Sequence, residues 1–246
     1  TKQRHDKAES ETGAADGMKL YTYAGNVHAL QSLIIGKYNG VDIEVPAFEM
    51  GKDNKSAAFL AKSPMGKVPV LETAEGCICE AAAIARYVAR MRADTNMYGS
   101  TFFEAGLVDQ WIEFAKNELD LAVGMWIYPV LGFIESNDAN TEKAKQDILR
   151  AFAVLEAHLL KQTFLVGEGV TAADVVVAMS LLNPFKLVID AAFAAPFPAV
   201  CRWFKTVVAQ PQFLAVLGPT ALHMGDAKPA AAPAAAAKAP KEQKPK

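Results

Sequence analysis

Residues 63–72 read as an apolar, strand-like run with a proline inside it, Ser63-Pro64-Met65-Gly66-Lys67-Val68-Pro69-Val70-Leu71-Glu72. Because proline cannot donate a hydrogen bond to a neighbouring strand, Pro69 marks either an edge strand or a point where the backbone turns outward. If the Val68–Pro69 bond is cis, which costs only about 0.5–1 kcal/mol before proline, the Val68 amide and carbonyl face a cleft. Those two groups would then be free to pair with an extended peptide ligand.

A second segment, Ile78-Cys79-Glu80-Ala81, ends a predicted strand and leads into an Ala-rich helix. The first amides of a helix have no partner within the helix and lie at the positive end of its dipole, so they favour an anion. Together the two segments predict a small site for a peptide that carries a carboxylate.

Length and composition limit the classes of protein to be considered. A chain of 246 residues exceeds a typical domain of about 100–150 residues, so one large domain or two closely packed ones are expected. The net charge of -2 gives no basic patch, which argues against direct nucleic-acid binding. No window approaches the roughly 20 consecutive apolar residues of a transmembrane span, and the polar amino terminus has no signal-like segment. We therefore predict a cytoplasmic protein without a transmembrane segment.

The cysteines, Cys77, Cys79 and Cys201, are too few for a disulfide framework and are interpreted as reduced thiols. Cys77 and Cys79 share one face of a predicted strand, which would suit a metal pair or a redox couple. However, the C-x-C spacing is not that of a C-x-x-C site, and no second pair lies nearby in the sequence. We interpret them as strand residues and predict no metal site.

Hydrophobic periodicity and capping residues predict a mixed sheet with helices in the first half of the chain. The predicted elements are a strand from Met18, a helix over Val27–Tyr38 capped by Asn26, a strand around Val41–Phe48, a short helix capped by Asp53 or Asn54, a hairpin over residues 68–79 and a helix from Glu80 to Arg92. This β-α-β-α-β-β-α order predicts a thioredoxin-like domain over residues 18–94, in which the strand at 41–48 lies parallel to the first.

The second half is predicted to be an all-α domain over residues 100–222. Its predicted features are a long helix that starts at a Thr101/Glu104 capping box and ends near Gly124, a bend at Pro129, a helix over Thr141–Lys161, a helix that starts at a Thr171/Asp174 capping box and kinks or ends at Pro184, and two pieces that begin at Pro198 and Pro211. Residues 1–17 predict a disordered extension, and residues 226–246 predict an Ala/Pro/Lys-rich linker.

This order of motifs resembles the glutathione transferase superfamily, whose fold packs a thioredoxin-like domain on an all-helical domain. Within it, the chain more closely resembles the gamma family of translation elongation factor 1 between about Met18 and Leu222. The phrases that carry the closer resemblance are Leu20-Tyr21-Thr22-Tyr23, Phe164-Leu165-Val166-Gly167-Glu168, Arg202-Trp203-Phe204 and Gln210-Pro211-Gln212-Phe213. In that family a comparable connector leads to a separate carboxy-terminal domain, so the resemblance implies that this chain is part of a longer protein.

The resemblance implies a thiol-peptide site made by Lys67, Val68, Pro69, Glu80 and Ala81. Lys67 is expected to meet a carboxylate and Val68 to pair with the peptide backbone. Ala81 departs from the transferase pattern, which usually has serine here. The loss of one hydrogen bond to a charged group costs roughly 1.5–3 kcal/mol, so we expect weak binding.

Thiol activation is the part of the transferase pattern that this sequence matches least. An enzyme of this type must lower the pKa of the bound thiol, because the thiolate is the nucleophile. The position that carries the activating donor in the superfamily corresponds to Asn26, whose amide is a weaker donor than a hydroxyl. Tyr23 is the other catalytic candidate, and a protonated His28 is a third alternative.

Two functions follow from the resemblance. The first is a non-catalytic scaffold that docks the exchange-factor subunits of the elongation factor 1 complex. The resemblance to the superfamily also implies that the chain forms a homodimer. The sequence contains no P-loop or other nucleotide-binding motif, which argues against nucleotide exchange by this chain itself. The alternative is an active S-transferase that uses glutathione or a related thiol peptide as its ligand. The sequence predicts no other cofactor.

Overall fold

The structure, a computed structural model, describes residues 17–223 of the chain. The predicted linker at residues 226–246 and the predicted amino-terminal extension, apart from Gly17, lie outside the described residues. The elements of the first half are β1 (Lys19–Tyr21), α1 (Val27–Asn39), a 3-10 turn (Asp53–Lys55), α2 (Ala57–Leu60), β2 (Val70–Thr73), β3 (Gly76–Cys79) and α3 (Ala81–Arg90).

The sheet of the first half has the order β1-β2-β3, with both pairs antiparallel. The strand predicted around Val41–Phe48 is reduced to one parallel bridge, in which the Leu20 amide donates to the Glu44 carbonyl at 2.8 Å. Its predicted direction is confirmed but its predicted length is wrong. Pro46 follows two residues later and cannot donate to a ladder, so pairing ends there.

Capping residues define the ends of α1 as the sequence predicted. The Asn26 side chain accepts from the His28 amide at 3.1 Å, and Gly40 closes the helix in the left-handed conformation with φ 63°. The predicted cap of α2 is wrong: Ser56 accepts from the Phe59 amide at 3.2 Å, whereas Asp53 accepts from the Glu49 amide in the preceding turn. Several adjacent polar residues can cap a helix start, and local packing selects one of them.

The second half of the described chain contains only helices. They are α4 (Phe102–Phe114), a π-helical turn (Ala115–Leu119), α5 (Asp120–Val130), α6 (Asp138–Leu159), α7 (Ala172–Leu187), α8 (Ala191–Ala194), α9 (Pro198–Val208) and α10 (Pro211–Leu217). The predicted starts at Pro198 and Pro211 are confirmed, since each proline is the first residue of its helix. The predicted combination of a thioredoxin-like half and an all-helical half is therefore confirmed.

The helix predicted to end near Gly124 continues to Val130 instead. Gly132, which has φ 74°, follows this end and supplies the left-handed conformation that stops a helix. Pro129 lies in the last turn of α5, where a missing donor interrupts little of the helix. Likewise, α7 runs three residues past Pro184, to Leu187, before it ends.

The almost wholly buried helix α7 forms the centre of the helical half. The predicted capping box at its start is confirmed, with the Asp174 carboxylate accepting from the Thr171 amide at 2.9 Å. The same carboxylate accepts from the Leu165 amide at 2.9 Å and from the Trp203 indole at 2.8 Å. Asp174 therefore connects α7 to α9 and to the loop that precedes α7.

The two halves share one hydrophobic core, because α1 of the first half packs against α7 and α10 of the second. This packing places the start of α1 beside the π-helical turn, so a cleft forms between the halves. None of the helices within residues 17–223 is long and apolar enough to cross a membrane.

Candidate functional site

A cavity of about 350 Å³ opens at the cleft between the two halves. It is lined by His28, Ser63, Pro64, Met65, Lys67, Val68, Pro69, Cys79, Glu80, Ala81 and Lys116. All of the residues predicted to bind a thiol peptide are among them. The segments that the sequence singled out therefore do meet at one cavity.

The Val68–Pro69 peptide bond is cis, as the sequence predicted. Within residues 17–223, no protein group forms a hydrogen bond with the backbone amide or carbonyl of Val68. The preceding residue is held in place, because the buried Ser63 hydroxyl donates to the Lys67 carbonyl at 2.9 Å. Val68 thus offers a donor and an acceptor at the cavity wall, as an extended peptide requires.

Glu80 adopts a backbone conformation with a positive φ of 69° immediately before α3. This conformation is uncommon for a residue other than glycine and is often found where a site requires it. Among the described residues no side chain caps the start of α3, so its first amides remain available to a ligand anion. The Ala81 carbonyl accepts from the buried Gln31 amide at 3.1 Å, which fixes this turn against α1.

Neither predicted catalytic residue lines the cavity. Asn26 is only 4% exposed, and its side-chain amide donates to the Thr22 hydroxyl at 3.1 Å while its oxygen caps α1. Tyr23 is half exposed, and partial burial, with a smaller contribution from Tyr128, raises the pKa of its hydroxyl. The Asn26 side chain is thus engaged in folding contacts, and Tyr23 stays protonated at neutral pH. A catalytic role for either residue stays a prediction.

A charged cluster at the cleft is not predicted by the sequence. The Lys116 ammonium, carried by the π-helical turn, lies 2.5 Å from Oδ2 of Asp120. The other Asp120 oxygen accepts from the Ser180 hydroxyl at 2.7 Å, and His28 Nδ1 lies 4.0 Å from Asp120. The spacing of Lys116 and Asp120 was visible in the sequence, but a pair four residues apart is also typical of a solvent-exposed helix.

His28 lines the cavity, but as a neutral group. Burial lowers the pKa of its imidazole and outweighs the opposite effect of Asp120, while Lys116 lowers that pKa further. The protonated His28 considered from the sequence is therefore disfavoured at neutral pH. In this form the ring can accept a proton or a hydrogen bond.

The two neighbouring cysteines differ in environment. Cys79 lines the cavity and its thiol donates to the Lys62 carbonyl at 3.2 Å, whereas Cys77 is exposed. The interpretation of both as strand residues agrees with their place in β3. No group of three or more metal-ligating side chains was found in the described part of the chain.

Two family models match the chain. Residues 16–90 match the glutathione S-transferase amino-terminal domain, and residues 117–211 match the glutathione S-transferase carboxy-terminal domain. The first match contains most of the cavity, and the second begins within the π-helical turn.

Similar proteins include elongation factor 1-gamma 1 of Oryza sativa, which is 41% identical over 92% of this chain and 54% of its own length. Elongation factor 1-gamma of Artemia salina is 43% identical over 81% of this chain and 46% of its own. The chain therefore spans about half the length of the curated relatives it matches.

Solved structures show the same fold. A glutathione transferase from Phanerochaete chrysosporium, in complex with oxidized glutathione, matches 83% of this chain and 96% of its own with a TM-score of 0.74 and 23% identity. The GST-like domain of elongation factor 1-gamma from Saccharomyces cerevisiae covers 80% of this chain and 91% of its own, with a TM-score of 0.68 and 22% identity.

Proposed function

We propose that this chain belongs to the elongation factor 1-gamma family within the glutathione transferase superfamily, and that it is a non-catalytic docking subunit of the elongation factor 1 guanine-nucleotide-exchange complex. The observation that carries the proposal is the identity of 41–43% to elongation factor 1-gamma proteins along most of the chain. On this proposal the chain works in the cytoplasm, binds the exchange-factor subunits and forms a homodimer.

The geometry of the cleft supports a docking function over catalysis. The Asn26 side chain, at the position expected to activate a thiol, is engaged in hydrogen bonds that cap α1 and connect it to Thr22, the residue after β1. Ala81 has no hydroxyl to hold a ligand carboxylate. Within this proposal the transferase fold serves as a rigid body that presents a docking surface.

The docking proposal is tested by co-expressing the chain with exchange-factor subunits and measuring co-elution on size exclusion. We expect a stable complex and no acceleration of nucleotide release by the chain alone. A glutathione transferase of the same fold serves as the control and should not co-elute. Failure of the chain to retain any exchange subunit would contradict the proposal.

We propose as a second function that the cavity binds glutathione or a related thiol peptide. The unpaired Val68 backbone and the uncapped start of α3 favour it, since they would bind the backbone and a carboxylate of such a peptide. Lacking a serine hydroxyl at Ala81, the site should bind about tenfold to a hundredfold more weakly than one that has it.

Calorimetric titration with glutathione tests the second function, and conjugation of a chromogenic electrophile tests whether binding leads to turnover. We expect binding with little conjugation above the uncatalysed rate. If conjugation is rapid and is lost in Asn26→Ala or Tyr23→Phe, the chain is an active transferase and the non-catalytic part of the first proposal is wrong.

A further inference from the structure

The π-helical turn brings one cationic side chain into the cavity from the helical half. Lys116 lines the cavity together with His28 and with the segments that carry Val68 and Glu80. Single π-helical turns within α-helices are frequent at functional sites, because the additional residue per turn shifts which side chains face inward. The π-helical turn therefore gives Lys116 a place in the cavity lining.

We propose that Lys116 is the group that stabilises the thiolate of the bound thiol peptide, in place of the hydroxyl donor that transferases use. This inference rests on the second proposed function, thiol-peptide binding. The remaining cation of the cavity, Lys67, and the start of α3 lie where the peptide's carboxylates are expected. The thiol is then left to face the wall formed by His28 and Lys116.

The ion pair at this wall is oriented with its positive end toward the cavity. Lys116 lines the cavity, whereas its partner Asp120 lies behind it and also accepts from Ser180 of α7. A thiolate in the cavity would be closer to the ammonium than to the carboxylate, so the attraction would exceed the repulsion. Ionisation releases the thiol proton to water and leaves the sulfur electron pair beside the ammonium.

The surrounding charges fit this assignment. His28 from α1 is neutral and adds no charge of its own, and the carboxylate among the lining residues, Glu80, belongs to the segment before α3 and not to the π-helical turn. An ammonium within a few ångströms lowers a thiol pKa by favouring the charged form. Lys116 would act on the bound thiol alone and would not affect a ligand that lacks one.

The test compares glutathione with S-methylglutathione, which has the same peptide but no ionisable thiol. The whole chain is used as wild type, Lys116→Met and Lys116→Arg. The pKa of bound glutathione is read from the ultraviolet absorbance of its thiolate across a pH series, and affinities are measured by calorimetry. We expect Lys116→Met to raise the bound-thiol pKa by about one unit or more, and Lys116→Arg to keep it low.

S-methylglutathione is expected to bind wild type and Lys116→Met with affinities within about twofold, since neither complex contains a thiolate. Lys143→Met is the matched control, because Lys143 also pairs with an aspartate four residues on, at 2.9 Å, but its side chain is exposed on the outer face of α6 and does not line the cavity. This variant should change neither ligand's affinity nor the thiol pKa.

Three results would overturn the assignment. The first is an unchanged thiol pKa in Lys116→Met. The second is an equal loss of affinity for both ligands in that variant, which would mean that Lys116 binds a carboxylate or maintains the shape of the cavity. Absence of binding of either peptide to wild type would also overturn it. The last result would leave the docking proposal intact, because co-elution with exchange subunits is measured without glutathione.

Discussion

At the residue scale, Ala81 limits how tightly the cavity can hold a peptide carboxylate. It is the first residue of α3 and lines the cavity, so a hydroxyl added at its Cβ would lie beside the free amides. We expect Ala81→Ser to tighten glutathione binding by about tenfold or more, because a hydrogen bond to a charged group contributes roughly 1.5–3 kcal/mol. Calorimetric titration measures the change, and an unchanged affinity would place the carboxylate elsewhere.

His28 links protonation to stability at the same cleft. Its pKa is lowered in the folded chain, so the unfolded chain binds the proton more tightly and acidification favours unfolding. The effect is absent well above the unfolded pKa of about 6.5 and grows as pH falls through that value. His28→Gln should therefore lose less unfolding free energy than wild type between about pH 7 and pH 5.

Chemical denaturation at a series of pH values measures this difference, with His223→Gln as the control because His223 lies outside the cavity. The control should follow the wild-type curve. If His28→Gln and wild type lose stability in parallel, burial does not suppress protonation of His28.

The sequence predicted those features of the site that depend on residues close together in the chain. The cavity wall from Ser63 to Ala81 comes from one hairpin and its flanks, and the cap at Asn26 depends only on its own helix. Lys116 could not be recognised, because its place in the cavity depends on packing between the halves. The neutral state of His28 depends likewise on burial, and the sequence alone left a protonated ring open as an alternative.

At the scale of elements, the sequence predicted most helices but misplaced some of their ends. The end expected near Gly124 is at Val130, because Gly132 carries the left-handed conformation and Gly124 fits within the helix. The parallel strand at residues 41–48 is cut short by Pro46, a signal that the sequence did contain. Periodicity identifies an element, whereas the conformation of a few residues sets its ends.

Two glycines of the helical half should respond to alanine with opposite signs. Gly132 has φ 74°, so Gly132→Ala should lower the free energy of unfolding by about 1 kcal/mol. Gly106 is exposed inside α4, and a Cβ there would meet no atom within 4 Å, so Gly106→Ala should raise it by about 0.5–1 kcal/mol. Denaturant unfolding of both variants measures these changes. Changes of the same sign in the free energy of unfolding would contradict the assigned conformations.

At the scale of the whole molecule, the described part of the chain consists of a sheet-containing half and an all-helical half that share one hydrophobic core. Helix α1 of the sheet-containing half packs on α7 and α10, and apolar side chains of both halves form one continuous buried cluster. The cavity is lined from both sides of this junction. A rigid junction of this kind suits a docking subunit, because the surface that it presents keeps its shape whether or not the cavity is filled.

A shared core predicts that the two halves unfold together and that a ligand at their junction stabilises both. Thermal unfolding should be one transition by circular dichroism and by tryptophan fluorescence, whose reporters, Trp111, Trp126 and Trp203, all lie in the helical half. Glutathione at a hundred times its dissociation constant should add about 2.7 kcal/mol and raise the midpoint by about 5–10 °C in both signals. Triglycine at the same concentration is the control and should leave the midpoint unchanged. Separate midpoints for the two signals, or a shift in only one of them, would show that the halves are coupled more weakly than their packing implies.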